Sequence, residues 1–126
     1  MTNIRISPLW LCLLLIASGA DAASLGAKAA ASIEEMVPDE QLVQRCDMET
    51  LERLDAERVL PYAFAPIEYE KNTVIAAGAA YRRAGKWYRL QFSCVASSDN
   101  LSIQSYRFSK GDLVPRSEWE SHNLFP

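Results

Sequence analysis

The stretch of chain that decides the fold is residues 74–95, which read VIAAGAAYRRAGKWYRLQFSCV. Two runs of alternating residues flank a central Ala84-Gly85, and this pattern predicts a β-hairpin with a tight turn. With these two residues as the loop, one face of the hairpin is entirely apolar. A slip of one residue would turn arginine and glutamine side chains inward, so the hydrophobic pattern selects this register. The predicted cross-strand pairs are Tyr81 with Tyr88, Ala79 with Leu90, Ala77 with Phe92, and Ile75 with Cys94.

A helix that precedes the hairpin is predicted to cover its apolar face. Pro38 suits a first helical turn, and Asp39 and Glu40 follow where the helix dipole favours negative charge. Up to about residue 56, apolar residues recur at helical spacing, and charges of alternating sign on a neighbouring flank predict a solvated face. The apolar stripe is Leu42, Val43, Cys46, Thr50 and Leu54; the charged flank is Arg45, Glu49, Arg53 and Glu57.

Residues 101–108 are predicted to form a third strand after a turn at 97–100. Leu101 and Ile103 favour one face of this strand, whereas Tyr106 and Phe108 favour the other, which indicates a bulge or a strand covered on both sides. Residues 110–112 read as a turn. The predicted fold class is therefore α+β: one N-terminal helix packed on a small antiparallel meander sheet of about three strands, with helix and sheet joined by one disulfide.

The N-terminus has the pattern of a cleavable secretory signal peptide. One positive charge, Arg5, precedes an apolar run over residues 9–17 that is much shorter than the roughly 20 residues a membrane-spanning helix needs. Small residues then flank Asp21, so cleavage is expected after Ala22, with Ala23 as the alternative. An uncleaved anchor is the weaker interpretation. We expect an exported periplasmic or secreted protein with no stable membrane span after cleavage.

This assignment divides the chain into three parts. Residues 1–22 are the signal peptide and residues 23–36 a flexible leader, although its alanines also permit a frayed helix. Residues 37–126 form a single small globular domain, because a chain of this length has no room for a second core.

Two of the three cysteines remain after the signal peptide and its Cys12 are removed. An even count in an oxidising compartment predicts one structural disulfide, Cys46 with Cys94. Closure of a loop of this length contributes roughly 4 kcal/mol in the chain-entropy model. A reactive thiol or metal site is the alternative, but the chain has no C-x-x-C, and the single histidine does not complete a tetrahedral ligand set.

Charge and motifs argue against several classes of function. Thirteen Lys and Arg oppose 16 Asp and Glu, a net charge of −3, without the basic patch that nucleic-acid binding needs. No hydrolase, metalloprotease, P-loop or dinucleotide motif occurs, so neither a metal nor another cofactor is expected. The catalytic alternative is a small exported hydrolase that uses His122 with Asp47, Glu49 or Glu118, and it requires a cleft that brings these residues together.

The side of the hairpin turned away from the helix is the candidate partner-binding face. Arg82, Trp87 and Arg89 would lie near one another there, and Trp and Arg are enriched at binding hot spots. In the alternative interpretation, Trp87 covers the second face of a thin sheet and the arginines are solvated. The predicted function is a non-catalytic module of the cell envelope that binds an envelope protein or a cell-surface polymer.

Several segments taken together resemble a protein family. They are Gln44-Arg45-Cys46-Asp47-x-Glu49, Leu60-Pro61-Tyr62-Ala63, Gly78-Ala79-Ala80-Tyr81, Gly85-Lys86-Trp87-Tyr88-Arg89-Leu90, Cys94, and Trp119-Glu120-x-His122-Asn123-Leu124-Phe125. The chain resembles the domain-of-unknown-function 930 family of small exported alphaproteobacterial proteins over nearly all of its length after the signal. The resemblance implies a bacterial periplasmic or secreted protein and brings no activity, substrate or cofactor with it.

Overall fold

The computed structural model describes residues 25–34 and 36–126 of the chain. The predicted signal peptide, residues 1–22, and its cleavage positions Ala22 and Ala23 lie outside this part. Within it, no helix is both long enough and apolar enough to cross a membrane.

Most of the ordered backbone belongs to one antiparallel sheet of five strands. Its strand order is β1-β3-β4-β5, and β2 pairs with β3 farther along the same edge. The strands are β1 (Arg58–Leu60), β2 (Glu68–Glu70), β3 (Thr73–Arg83), β4 (Lys86–Ala96) and β5 (Ile103–Leu113). Two α-helices, α1 (Ala27–Glu34) and α2 (Pro38–Leu54), precede them, and two 3-10 helices, Arg116–Glu118 and Glu120–His122, follow.

The predicted α+β fold with one helix and about three strands is therefore wrong: the protein is mostly β, its sheet is larger, and helical turns also occur at the C-terminus. The two missed strands have only three residues each, too few to show a period-two pattern. Two prolines, Pro61 and Pro66, interrupt the segment between them. The leader contains α1, the helical form that its alanines permit, and Ile33 at the end of α1 is buried.

The hairpin forms with the predicted turn. Ala84 and Gly85 both have positive φ, 50° and 74°, as a two-residue turn between twisted strands requires. Next to the turn the predicted register is confirmed, since Tyr81 pairs with Tyr88. Farther away it is wrong by one residue, because a bulge lies between Ala76 and Ala79. Ala76 therefore pairs with Phe92, and Val74 with Cys94.

The bulge occurs where the chain must pass close to another backbone segment. Gly78 accepts a hydrogen bond at its carbonyl from the Phe64 N–H at 2.7 Å. A Cβ atom added to Gly78 would lie 2.6 Å from the Cβ of Ala65, so only glycine fits here. The loop between β1 and β2 thereby fixes the position at which β3 changes register.

Helix α2 packs on one face of the sheet, the helix face. Its predicted apolar stripe is buried, with Leu42, Cys46 and Leu54 in one cluster with Leu90 and Phe92 of β4. This cluster is the main hydrophobic core, and it accounts for most of the favourable burial on folding.

Strand β5 contains one extra residue, a bulge, that turns two of its side chains toward the helix face. The pairing of β4 with β5 shifts between Val95 and Ala96, so that both Ile103 and Tyr106 point toward α2. The Tyr106 hydroxyl lies 2.6 Å from Oγ1 of Thr50. Of the two alternatives predicted for this strand, a bulge or cover on both sides, the structure has the bulge. The predicted turn at residues 110–112 is wrong, because β5 continues to Leu113.

The charged flank of α2 is not a solvated face as predicted. Arg45 and Glu49 are buried, and Nη1 of Arg45 lies 3.2 Å from Oε2 of Glu49. Nε of Arg45 donates to the carbonyl oxygen of Leu101, and Nε of Arg53 lies 2.8 Å from the other Glu49 oxygen. The loop between β4 and β5 covers these residues, a long-range contact that the local charge pattern does not show.

The opposite face of the sheet, the outer face, is only half covered. The C-terminal segment packs on it near the hairpin turn, and Nε1 of Trp119 donates to the carbonyl oxygen of Val114 at 3.0 Å. We call this group of buried residues the outer cluster; it consists of Ala63, Ala80, Trp87, Val114, Trp119 and Leu124. Within residues 25–34 and 36–126, no segment covers the half of the outer face away from the turn in this way.

Candidate functional site

The disulfide between Cys46 and Cys94 is present and joins α2 to β4. Both residues are fully buried, and their Cα atoms are 6.0 Å apart, in the middle of the usual range. The bond lies inside the main core, away from solvent. The predicted pairing is confirmed, and the role of the bond is structural.

The three residues of the predicted binding face do not share one exposed surface. Trp87 is 4% exposed in the outer cluster, and its Nε1 donates to the carbonyl oxygen of Phe125 at 2.8 Å. Nε of Arg82 lies 3.2 Å from Oε2 of Glu57. Only Arg89 remains exposed. Trp87 thus covers the second face of the sheet, as the alternative interpretation has it.

Arg89 is held in place by an aromatic ring. The guanidinium carbon lies 3.8 Å from the centroid of the Phe64 ring, a cation–π arrangement that orients the side chain without neutralising it. Strand β5 approaches closely here, since a Cβ atom added to Gly111 would lie 2.9 Å from the Cβ of Arg89. Two glycines, Gly78 below Phe64 and Gly111 beside Arg89, therefore shape this corner of the sheet.

The open half of the outer face carries a row of polar and basic side chains. The residues of β4 that alternate with this row are buried under α2, so the row points the other way. Cross-strand pairing places Gln91 beside Ser109 and Ser93 beside Arg107. We call this row the outer strip; it consists of Arg89, Gln91 and Ser93 on β4 and Arg107 and Ser109 on β5.

Two shallow hollows lie over the outer strip. Their volumes are about 260 and 330 Å³, and both are lined by Ala77, Gln91 and Ser109. The small side chains on the floor leave the hollows open and continuous. A ligand here would rest on the sheet rather than enter a closed cavity.

The outer strip is basic although the chain as a whole is acidic. Of the charged groups that line the two hollows in the described part of the chain, three are cations and one, Asp112, is an anion. None of the three cations forms an ion pair with a described acid. Arg89 and Arg107 lie at the two ends of the strip, separated by about four residues of strand or roughly 13 Å.

The residues of the catalytic alternative are not brought together. Nδ1 of His122 lies 3.1 Å from the carbonyl oxygen of Ala63, and its ring packs against Phe64 in a tilted arrangement, with 4.3 Å between centroids. Glu49 is engaged by two arginines on α2. Over residues 25–34 and 36–126, no ion pair links His122 to Asp47, Glu49 or Glu118, and no three His, Cys, Asp or Glu side chains are grouped as metal ligands.

Sequence reasoning missed the β5 half of the outer strip. The alternation Ser105-x-Arg107-x-Ser109 is a period-two polar signal for an exposed strand face. The signal is obscured because Ile103, which is buried, and Tyr106, which is partly buried, are three residues apart and therefore conflict with a regular strand. Only the bulge reconciles the two patterns.

Comparison with known proteins gives one match. The model of the family described as Domain of Unknown Function (DUF930) matches residues 33–124. The first and last matched residues, Ile33 and Leu124, are both buried, so the match spans the packed domain. No curated protein and no solved structure matches the chain.

Proposed function

We propose a function from the site, because the chain belongs to the family described as Domain of Unknown Function (DUF930) and that description names no activity. The protein is an exported, non-catalytic envelope module that binds an anionic cell-surface polymer on the outer strip.

The observation that carries this proposal is the alignment of cations and neutral hydrogen-bonding groups along one row. Arg89 and Arg107 at the ends supply positive charge, and Gln91 and Ser109 between them supply amide and hydroxyl groups. A spacing of roughly 13 Å between the backbone positions of the two arginines fits repeated anionic groups on an extended chain better than one small anion. Charge complementarity of this kind gives a surface its specificity for a partner.

The shape of the face also supports a polymer. Small-molecule sites are concave and bury most of their ligand. The outer strip instead lies beneath open, shallow hollows with small residues such as Ala77 on their floor. A linear chain can lie along such a floor without deep burial.

Export rests on the signal-peptide pattern of residues 1–22 and agrees with the buried disulfide, since disulfides persist mainly in oxidising compartments. Expression of the full chain in a bacterial host, followed by intact mass measurement of the periplasmic protein, tests this part. We expect the measured mass to match a chain that begins at Ala23 or Ser24. An uncleaved cytoplasmic product would contradict export.

Binding is tested with the oxidised mature protein and polygalacturonate as the anionic probe, with dextran as the neutral one. Arg89→Gln/Arg107→Gln is compared with Lys71→Gln/Lys86→Gln, which removes the same charge from exposed turns outside the strip. Each exposed ion pair contributes up to about 1 kcal/mol, so loss of two weakens binding by up to about 30-fold.

We expect wild type and the Lys variant to bind polygalacturonate in a salt-dependent manner, and the Arg variant to bind at least about fivefold more weakly. Equal weakening in both variants would assign binding to net charge alone and overturn the role of the strip. Equal binding of dextran would show that anionic groups are not what the surface recognises.

A further inference from the structure

A second depression lies along the flank of α2 and past the edge strand β1, where it reaches Phe125 of the C-terminal segment. It consists of two adjoining hollows of about 470 and 420 Å³, which share Gln44 and Tyr62. We call it the α2 groove. Each hollow has the volume of a small-molecule site. The groove shares no lining residue with the outer strip.

Exposed aromatic rings surround the α2 groove. Tyr62, Tyr69 and Phe125 are 57%, 48% and 60% exposed, which is unusual for side chains of this size. Leu51 and Val59 add aliphatic walls in the larger hollow. A ligand here would meet apolar surface on several sides.

One polar group lies against these walls without a partner. Asp47 lines the larger hollow, and its Oδ1 is buried with no hydrogen-bond partner among the described residues. Desolvation raises the pKa of this carboxyl to about 7. Desolvation is the main cause of the raised pKa of the Tyr69 phenol on strand β2, and the negative charges of Asp39 and Asp47 add to it. An unpartnered buried carboxylate is costly, and a cationic N–H donor is the group that compensates it best.

The charges around the groove have the sign that attracts a cation. Asp39, Glu40 and Glu57 line it together with Asp47, and Arg58 is the cation among the lining residues in the described ranges. Glu57 is already paired with Arg82, so Asp39, Glu40 and Asp47 carry the attraction. Electron-rich ring faces add to this preference through cation–π attraction. A metal ion is a poor fit, because no three metal-ligating side chains are grouped anywhere in the described chain.

We propose that the α2 groove binds an amphipathic organic cation, a primary ammonium on an apolar body, with Asp47 as its counter-ion and Tyr62 and Phe125 against the apolar part. The ammonium places a positive charge against the Asp47 carboxylate, which forms no ion pair with a described residue. The rings take the apolar body out of water. This site is independent of the polymer surface on the outer strip.

The test is an NMR titration of the oxidised mature protein at pH 8 with three matched probes: 2-phenylethylammonium, the neutral 2-phenylethanol and the anionic 3-phenylpropanoate. Asp47→Asn removes the counter-ion. Asp55→Asn is the control, because Asp55 is exposed, lies outside the groove at the end of α2, and has positive φ, which asparagine tolerates.

We expect amide shifts at Gln44 and Leu51, with the ammonium bound at least tenfold more tightly than the alcohol and the carboxylate weakest. Asp47→Asn should abolish the preference for ammonium, while Asp55→Asn keeps it. If Asp47→Asn does not fold, Tyr62→Ala replaces it, because Tyr62 is exposed. Loss of the Tyr62 ring should weaken the binding of 2-phenylethylammonium and of 2-phenylethanol by the same factor.

Equal affinity for the three probes, or a preference for ammonium that survives in Asp47→Asn, would overturn the proposal. So would the absence of shifts in the groove with any probe. Polygalacturonate binding by Asp47→Asn should equal that of wild type, so failure at one site is distinguishable from failure at the other.

Discussion

Replacing Asp47 by asparagine removes a carboxyl that folding takes out of water without a partner for Oδ1. In the unfolded chain an aspartate ionises near pH 3.9, whereas burial raises the folded pKa of Asp47 to about 7. Between these pH values the folded state holds a proton that the unfolded state has released. The free energy of unfolding contributed by this group therefore falls as pH rises from about 4 to about 7 and stays low above that.

The magnitude follows from the distance between the two pKa values. About three pH units at 1.36 kcal/mol each correspond to a loss of about 4 kcal/mol between pH 4 and pH 8. An asparagine side chain does not titrate, so the free energy of unfolding of the variant does not fall with pH in this way. Any fixed cost of the unpartnered amide is the same at every pH. The stability of Asp47→Asn relative to wild type should thus increase by about 4 kcal/mol across this range.

Urea denaturation of the oxidised protein at pH 4, 6 and 8 measures this difference, with the fluorescence of the buried Trp87 and Trp119 as the signal. Asp55→Asn is the control, because it removes the same charge from an exposed position at the end of α2. A difference for Asp47→Asn that is constant from pH 4 to pH 8 would refute the reasoning. It would mean that water or a nearby donor reaches the carboxyl.

Three further perturbations test the fold. Replacing both Cys46 and Cys94 by serine should lower the free energy of unfolding by roughly 4 kcal/mol, measured by urea denaturation against reduced and oxidised wild type. Gly78→Ala forces a Cβ into the neighbouring loop and should lower the melting temperature through a loss of about 1–3 kcal/mol, whereas Gly26→Ala, with open space around it, should not. Trp119→Ala should cost about 3–5 kcal/mol and speed amide exchange in the C-terminal segment; unchanged exchange would show that the segment holds without it.

Local patterns were sufficient where neighbours in sequence are also neighbours in space. The hairpin turn at Ala84-Gly85 and the start of α2 at Pro38 follow from residues a few positions apart, and both are confirmed. The pairing of Cys46 with Cys94 follows from a count of two in the predicted mature chain, and the structure confirms it. Of the outer strip, sequence reasoning placed Arg89 among the candidates and missed Arg107 and Ser109, because the register of β5 was ambiguous.

What the amino-acid sequence determined by itself was the hairpin, the buried stripe of α2 and the disulfide, because hydrophobic periodicity and cysteine number are local or countable properties. Only the tertiary structure decided the bulge at Gly78, the burial of Trp87 beneath the C-terminal segment and the exposure of the outer strip. Each depends on which distant segment packs against the sheet, as when the Phe64 loop occupies the space of a missing side chain. Long-range packing of this kind leaves no period in a single sequence, so both candidate binding sites became visible only in three dimensions.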